Sequence, residues 1–360
     1  MIRKKVLVVD DSAFMRKLIT DFLSTSPDLE VVGTARNGKD ALLKIEKFAP
    51  DVVTLDVEMP EMNGIEALKI IMEKHPLPVI MLSSTTKEGA ENTITAMNHG
   101  AVDFIAKPSG AISLDLHKVK EELVAKVLNA GSISIARLSR DSKEKNGIFN
   151  AVSEAKAPSS STLPPWNQHT DKIICIGTST GGPRALQQVV TSLPSDIQAP
   201  ILIVQHMPPG FTKSLANRLN SLSKITVKEA EHGEVLEKGT AYIAPGGFHL
   251  KVEEKRGGLM AVLDDSELPR SGHRPAVDVM FESVSEITNY DKIAVIMTGM
   301  GSDGSKGLVK LKGNGAVKSI AEAEESCIVY GMPKAAVSTN LVDEIESIEN
   351  IAGCIMKYMP

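Results

Sequence analysis

The chain has 360 residues, which at roughly 150 residues per domain predicts two domains, each large enough for a core of its own. Forty basic and 45 acidic side chains give a net charge of −5, so no overall positive field favours a nucleic-acid partner. No apolar stretch reaches the roughly 18 residues of a membrane span and no signal peptide is evident, so we expect a soluble cytoplasmic protein without direct membrane insertion. Three cysteines without metal-ligand spacing favour a reducing compartment.

The N-terminal part, residues 1–128, predicts a doubly wound α/β domain. Short apolar runs rich in β-branched residues alternate with amphipathic segments such as 13–24 and 38–48. There are five such runs, at residues 5–9, 29–33, 51–55, 78–82 and 101–105. Uninterrupted apolar runs are typical of strands buried on both faces, so we expect a flavodoxin-like sheet of five parallel strands.

A linker over residues 129–170 is predicted to join this domain to a second one. From about residue 139 the hydrophobic pattern dissolves into Ser, Pro and charged residues, and a flexible coil of that composition would span roughly 30 Å. From residue 172 the β/α alternation resumes and predicts a second doubly wound domain over 171–360 with a mostly parallel sheet. Three strand-like segments punctuated by glycine predict a β-hairpin insertion, at residues 239–244, 249–252 and 259–263.

Polar residues end the predicted strands of the first domain, where ligands of open parallel sheets bind. They are Asp10, Asp11, Asp56, Ser83 and Lys107. Three converging carboxylates repel one another, and Mg²⁺ with its preference for oxygen ligands would neutralise them. Asp56 then suits a nucleophile that attacks phosphorus, with Ser83 and Lys107 holding the phosphoryl oxygens. Taken alone, the two adjacent aspartates also fit an acidic turn that caps the next helix.

The segments 8–12, 55–64 and 103–108 resemble the motifs of the response-regulator receiver domain. The resemblance implies phosphorylation of Asp56, with Asp11 and Asp56 as direct Mg²⁺ ligands. It further implies that the backbone carbonyl of Glu58 is a ligand and that Asp10 acts through water. It also implies that Phe104 changes position together with Ser83, although hydrophobicity alone makes Phe104 a plain core residue.

The second domain carries G-x-S-x-G at residues 177–181, between a predicted strand and a helix that begins near Pro183. Small flanking residues permit a sharp turn that would expose Ser179, and free N–H groups at the helix start could bind an oxyanion. The same pattern also fits a loop that cradles phosphate, or merely a tight connection.

A serine nucleophile needs a base and a group that orients the base. His206 follows the next predicted strand and Asp303 follows a later one, although a structural histidine and a turn aspartate are the alternatives. The chain order Ser, His, Asp differs from that of ordinary α/β-hydrolases and argues against a generic lipase. Cys175 and Cys327 are rival nucleophiles in principle, but Cys175 lies inside an apolar strand, where a buried inert thiol is expected.

Five segments of the second domain resemble the CheB family of chemotaxis protein-glutamate methylesterases, namely residues 177–182, 205–212, 272–278, 298–304 and 329–334. The resemblance implies hydrolysis of glutamate γ-methyl esters on chemoreceptors, commonly with deamidation of receptor glutamines. It implies Ser179 as nucleophile, His206 as general base and then acid, and Asp303 as the group that orients the imidazole. Backbone N–H groups near three residues are the candidate oxyanion donors, at Thr180, Gly181 and Met300.

The resemblance further implies two partners, the methyl-accepting receptors as substrate and a chemotaxis histidine kinase as phosphodonor. Mg²⁺ is expected for receiver phosphorylation, and no cofactor for the ester hydrolysis. Two α/β sites joined by a long linker also predict that the unphosphorylated receiver packs over the Ser179 pocket, and that phosphorylation loosens this contact.

Two alternatives place a different output behind the receiver. A DNA-binding output would need a compact helix-turn-helix segment and a basic stripe, which residues 172–360 lack. A nucleotide-using enzyme would need a phosphate loop, but residues 177–182 lack both the G-K-[ST] ending and the G-x-G-x-x-G spacing.

Overall fold

Two separate parallel sheets organise the part of the chain that a computed structural model describes, which is residues 3–107, 113–133, 166–167, 169–255 and 258–360. The predicted linker lies mostly outside these residues. The last helix of the first domain ends at Ala130 and the first strand of the second begins at Lys172. The boundaries 1–128, 129–170 and 171–360 stay predictions.

The first domain is a five-stranded sheet with the order β2-β1-β3-β4-β5, in which every pair is parallel. Its strands are β1 (Lys4–Val9), β2 (Leu29–Ala35), β3 (Val52–Asp56), β4 (Val79–Ser83) and β5 (Asp103–Ala106). Its helices are α1 (Ala13–Leu23), α2 (Gly38–Phe48), α3 (Gly64–Lys74), α4 (Lys87–Asn98) and α5 (Ser113–Ala130). The predicted flavodoxin-like domain is confirmed.

Local sequence signals explain where these helices begin. The Ser12 hydroxyl accepts a hydrogen bond from the N–H of Met15 and caps α1. Asn63 and Glu66 bond each other's backbone N–H groups in a capping box at the start of α3. Because Ser12 caps α1, the two aspartates before it are not needed for that purpose.

The second domain contains a seven-stranded sheet with the order β14-β13-β12-β6-β7-β9-β8, again with every described pair parallel. Its strands are β6 (Lys172–Thr178), β7 (Ile201–Gln205), β8 (Thr226–Glu229), β9 (Thr240–Ile243), β12 (Asp291–Ile296), β13 (Val317–Glu322) and β14 (Glu344–Glu346). Its helices are α6 (Gly182–Ser192), α7 (Phe211–Leu222), α8 (Val277–Ser285), α9 (Ser305–Gly313), α10 (Met332–Val337) and α11 (Ile348–Lys357). The predicted doubly wound class is confirmed.

The hairpin insertion is smaller than predicted. Only β10 (His249–Lys255) and β11 (Gly258–Asp264) pair as an antiparallel hairpin. The third segment, β9, lies between β7 and β8 in the main sheet, so its assignment to a hairpin was wrong. All four residues of β9 are buried, which suits an inner strand of a covered sheet and not a solvated hairpin.

The two domains share a packed boundary. Helix α4 of the first domain packs on α6 and α7 of the second, and the apolar residues of both halves form one continuous cluster there. Strands that end at or lead into site residues are buried along their whole length, as in β3, β4, β6, β7 and β12. Within the described ranges, no helix is long and apolar enough to cross a membrane.

Candidate active site

Ser179 stands on the tight turn between β6 and α6. The turn closes with a hydrogen bond from the N–H of Gly182 to the Ser179 carbonyl at 2.8 Å. Gly181 has φ +79°, which favours glycine, and a Cβ at Gly182 would lie 1.8 Å from the Gln205 Oε1 atom. The Gln205 side chain in turn donates to the Ser179 carbonyl at 3.0 Å. The small residues of G-x-S-x-G therefore let β7 brace the serine turn.

The structure brings the three predicted triad residues into one line. Strand β6 pairs with β12 on one side and with β7 on the other, so Ser179, His206 and Asp303 follow three adjacent strands. His206 Nδ1 lies 3.2 Å from Ser179 Oγ, and His206 Nε2 lies 2.7 Å from Asp303 Oδ2. The side chains of His206 and Asp303 are almost completely buried. In serine proteases Nε2 faces the serine and Nδ1 faces the aspartate. In this chain the two ring nitrogens have exchanged these partners.

Asp303 is held as a carboxylate by a cage of donors. The N–H groups of Val277 and Asp278, at the start of α8, donate to its two oxygens at 2.7 and 2.9 Å. Burial alone would raise the pKa of Asp303, but the hydrogen bond from His206 and these backbone donors hold it below its usual value. A charged Asp303 fixes the imidazole with its proton on Nε2, which leaves Nδ1 free to accept from Ser179.

The loop after β12 braces the other side of Ser179. The N–H of Ser179 donates to the Thr298 carbonyl at 3.0 Å, and a Cβ at Gly299 would lie 2.7 Å from the Ser179 Cβ. The N–H of Thr298 donates to the buried Glu322 carboxylate at 2.8 Å. Burial raises the pKa of Glu322 to about 7, although Thr298 and Ser326 oppose the change by donating hydrogen bonds. Glu322 therefore anchors the loop that carries Asp303.

The three predicted oxyanion donors flank Ser179. Thr180 and Gly181 follow Ser179 directly, and Met300 follows Gly299, which lies so close to Ser179 that a Cβ there would clash with it. Among the described residues, none accepts a hydrogen bond from the N–H of Thr180, Gly181 or Met300. This leaves the three groups available to a substrate oxygen, and the oxyanion role stays a prediction. Cys175 lies fully buried in β6, and burial raises its pKa, so it is a poor rival nucleophile.

The acidic residues of the first domain also converge. Ligand atoms of Asp10, Asp11 and Asp56 all lie within 4.8 Å of one another. Lys107 Nζ is 2.9 Å from Asp10 Oδ2 and 2.7 Å from Asp56 Oδ2. Burial raises the pKa of Asp56 to about 6, with Lys107 opposing the rise. Three carboxylates, with Asp10 and Asp56 buried and Asp11 exposed, offer the oxygen ligands that Mg²⁺ prefers.

The other predicted receiver residues lie around this cluster. The N–H of Glu58 donates to Asp56 Oδ1 at 3.3 Å, while the use of its carbonyl as a ligand stays a prediction. The Ser83 hydroxyl is buried and donates to the Gly89 carbonyl in α4 at 3.0 Å. The Ser83 hydroxyl would have to turn away from the Gly89 carbonyl before it could donate a hydrogen bond to a phosphoryl oxygen. The switch role of Ser83 therefore also stays a prediction.

Strand β5 of the first domain meets the serine turn of the second. The Thr180 hydroxyl donates to Asp103 Oδ2 at 2.5 Å, and Thr180 is the residue directly after Ser179. Phe104 stacks on Phe211, the first residue of α7, with ring centroids 4.6 Å apart. Lys126 on α5 steadies this end of β5 through Asp103 at 3.1 Å. Phe104 is thus an interdomain contact and more than a plain core residue.

Comparison with known proteins agrees with this division of the chain. Residues 174–355 match the family model described as CheB methylesterase, and residues 6–117 match the response regulator receiver domain. A protein of Geobacillus kaustophilus (strain HTA426) named protein-glutamate methylesterase/protein-glutamine glutaminase is 59% identical over 355 residues, which cover 99% of this chain and 98% of that one. This chain belongs to the CheB methylesterase family. The predicted receiver and esterase halves are confirmed.

Two further relatives support membership of the CheB family. A Bacillus subtilis (strain 168) protein of the same name is 55% identical over 352 residues, or 98% of this chain and 97% of that one. The crystal structure of the Thermotoga maritima CheB methylesterase catalytic domain is 46% identical, with a TM-score of 0.50, and covers 52% of this chain and 98% of that one. The relative's second domain therefore forms a structure by itself. The alternatives with a DNA-binding or nucleotide-using output gain no support.

Several residues around the CheB site were not singled out in the sequence. They are Asp103, Gln205, His273, Asp278, Thr298 and Glu322. Gln205 is adjacent to His206 and ends the same strand, so strand-end logic could have found it. Asp103 and Glu322 act across domain or strand boundaries, which no local pattern reveals.

Proposed function

We propose that this chain hydrolyses γ-methyl esters of glutamate on chemoreceptors and also deamidates receptor glutamines, in the cytoplasm. The observation that carries the proposal is the aligned set of Ser179, His206 and Asp303, beside N–H groups that have no acceptor in the described part of the chain. The names of the relatives supply the substrate class, since the geometry alone specifies only acyl transfer.

Each proposed step moves one proton through His206. Ser179 Oγ attacks the ester carbonyl while His206 Nδ1 takes its proton, and Asp303 stabilises the imidazolium through Nε2. The oxyanion accepts hydrogen bonds from the N–H groups near Thr180, Gly181 and Met300. His206 then returns the proton to the departing methoxide, which leaves as methanol and gives a glutamyl ester of Ser179. Water, deprotonated by the same nitrogen, hydrolyses that ester and frees the serine.

The first domain is proposed to accept a phosphoryl group on Asp56 from a histidine kinase. Asp10, Asp11 and Asp56 would hold Mg²⁺, which neutralises the phosphoryl oxygens when bound. Lys107 already lies within ion-pair distance of Asp56 and would bind one of those oxygens. The buried Ser83 is the proposed second contact, once its hydroxyl leaves Gly89.

We further propose that the unphosphorylated receiver restrains the esterase. Asp103 accepts the hydrogen bond of the Thr180 hydroxyl, and Thr180 directly follows the proposed nucleophile. Phe104, the proposed switch residue, stacks on Phe211 at the start of α7, the helix that follows His206. A movement of Phe104 on phosphorylation would disturb both contacts at once. Since such contacts are worth a few kcal/mol, we expect a partial shift with a basal activity above zero.

The proposal is tested by methanol release from methyl-labelled, receptor-rich membranes. The phosphorylated native chain should release methanol, and Ser179→Ala should reduce the rate to that of the membranes alone. Ser221→Ala, at an exposed serine on α7, is the matched control and should keep the native rate. Native turnover by Ser179→Ala would exclude the triad, whereas a native chain that releases no methanol would exclude this substrate class.

A further inference from the structure

The imidazole of His273 lies flat against that of His206. The ring centroids are 3.9 Å apart and the ring planes differ by 8°. The edges of the His206 ring are already used, because Nδ1 faces Ser179 and Nε2 faces Asp303. His273 contacts the face of the His206 ring. The two hydrogen bonds do not fix the orientation of that face.

The backbone holds His273 in place from both sides. His273 and Arg270 exchange two backbone hydrogen bonds of 3.0 Å, and Arg270 forms an ion pair with Glu282 on α8. Four positions after His273, the N–H of Val277 donates to Asp303 at 2.7 Å. The segment 273–277 therefore contacts both the Asp303 carboxylate and the face of the His206 imidazole.

His273 is neutral at the pH of the cell interior. Although His273 is an exposed residue, the groups packed near its ring desolvate it, and this lowers the pKa of His273 to about 4. Besides desolvation, the charges of His206 and Lys126 lower that pKa, and the charges of Asp303 and Glu122 raise it. A neutral ring adds no positive charge against the imidazolium that forms on His206 during catalysis.

We propose that His273 is a positioning residue that keeps the imidazole of His206 in the plane joining Ser179 and Asp303. Two hydrogen bonds fix the positions of the ring nitrogens but allow the ring to tilt about the line between them. A second ring stacked on one face opposes that tilt, and it also keeps water from that face. The inference rests on the proposed role of His206 as general base.

The test measures covalent labelling of Ser179 by a fluorophosphonate in the full-length unphosphorylated chain, as a function of pH. This probe reports the reactivity of the serine whatever the physiological substrate is. Replacement His273→Ala should slow labelling about three- to tenfold, the range expected for loss of one aromatic stack. Because water then reaches the face of His206 and favours its charged form, the pH of half-maximal rate should move upward. His273→Phe keeps a flat ring and should restore both the rate and the midpoint.

Each outcome decides the matter. His169→Ala removes an exposed histidine just before the second domain and should label like the native chain, while Ser179→Ala supplies the blank. If His273→Ala labels at the native rate with the native midpoint, the positioning role is wrong. If His273→Phe is as slow as His273→Ala, a ring nitrogen is needed and the stacking argument fails. Native labelling without methanol release from receptors would refute the proposed substrate and leave this inference standing.

Discussion

Replacement Asp103→Asn should release part of the restraint that the receiver places on the esterase. Asp103 accepts hydrogen bonds from the Thr180 hydroxyl at 2.5 Å and from Lys126 at 3.1 Å. An asparagine carries no charge and replaces one acceptor oxygen by an NH₂ donor, so the charge-assisted hydrogen bond from the Thr180 hydroxyl is lost. The substitution leaves every residue of the catalytic half native, so a faster reaction reports weaker docking and not improved chemistry.

The size of the effect follows from the hydrogen bond that is lost. A hydrogen bond to a charged group contributes about 1.5 to 3 kcal/mol, which corresponds to a change of about 10- to 150-fold in the docking equilibrium. If about one molecule in a hundred is undocked at the start, the smaller value raises that fraction to about one in ten. The unphosphorylated Asp103→Asn protein should therefore release methanol about ten times faster than the native protein.

The assay is the initial rate of methanol release from methyl-labelled receptor membranes without a phosphodonor. Asp28→Asn removes the same charge from an exposed aspartate of the receiver and should leave the rate unchanged. Thr180→Val removes the other half of the contact, and combining it with Asp103→Asn should add little to either change. An Asp103→Asn rate equal to the native rate would show that this bond does not hold the receiver in place.

Three further predictions concern the separate sites. Ser179→Ala and His206→Ala should each abolish methanol release, and the double variant should be no worse, because nucleophile and base act as one unit; a double variant that is far slower than either single one would contradict this. A small phosphodonor should label the native chain only with Mg²⁺, and Asp56→Asn should block the labelling; a labelled variant would move the acceptor elsewhere. Burial raises the pKa of Glu322 from 4.5 to about 7 in the folded chain. The unfolded chain therefore loses this proton first, and the free energy of unfolding should fall by up to about 3 kcal/mol as pH rises from 4.5 to about 7. In urea unfolding measured at pH 5 and pH 8, Glu322→Gln should remove this loss of stability. Glu322→Leu should destabilise the chain at both pH values, because the N–H of Thr298 loses its acceptor. Equal pH dependence in Glu322→Gln and the native chain would contradict the raised pKa of Glu322.

The sequence predicted the sheet strands best where apolar runs were long and bounded by polar strand ends. The apolar runs that form β6 and β7 are each followed directly by a site residue. This is why Ser179 and His206 could be identified together. Pairing is harder to predict, since it depends on residues far apart in the chain. The segment Thr240–Ile243 has the composition of either a hairpin strand or an inner strand, and only its position beside β7 decides between them.

The candidate site was predictable where chemistry demands a particular residue type. A serine, a histidine and carboxylates at strand ends limit the choices strongly. The supporting residues were not predictable, because their roles depend on packing. His273 reaches His206 from a loop 67 positions later in the chain, and Asp103 meets Thr180 across two domains. Neither contact leaves a local signal in the sequence.

The most direct test compares three proteins in one methanol-release assay: the unphosphorylated chain, the phosphorylated chain and the isolated fragment of residues 151–360. Phosphorylation should raise the rate above that of the unphosphorylated chain, and the fragment, freed from the receiver, should also be faster than the unphosphorylated chain. All three rates should vanish with Ser179→Ala. A fragment no faster than the unphosphorylated chain would contradict restraint by the docked receiver and would make the receiver an activator instead.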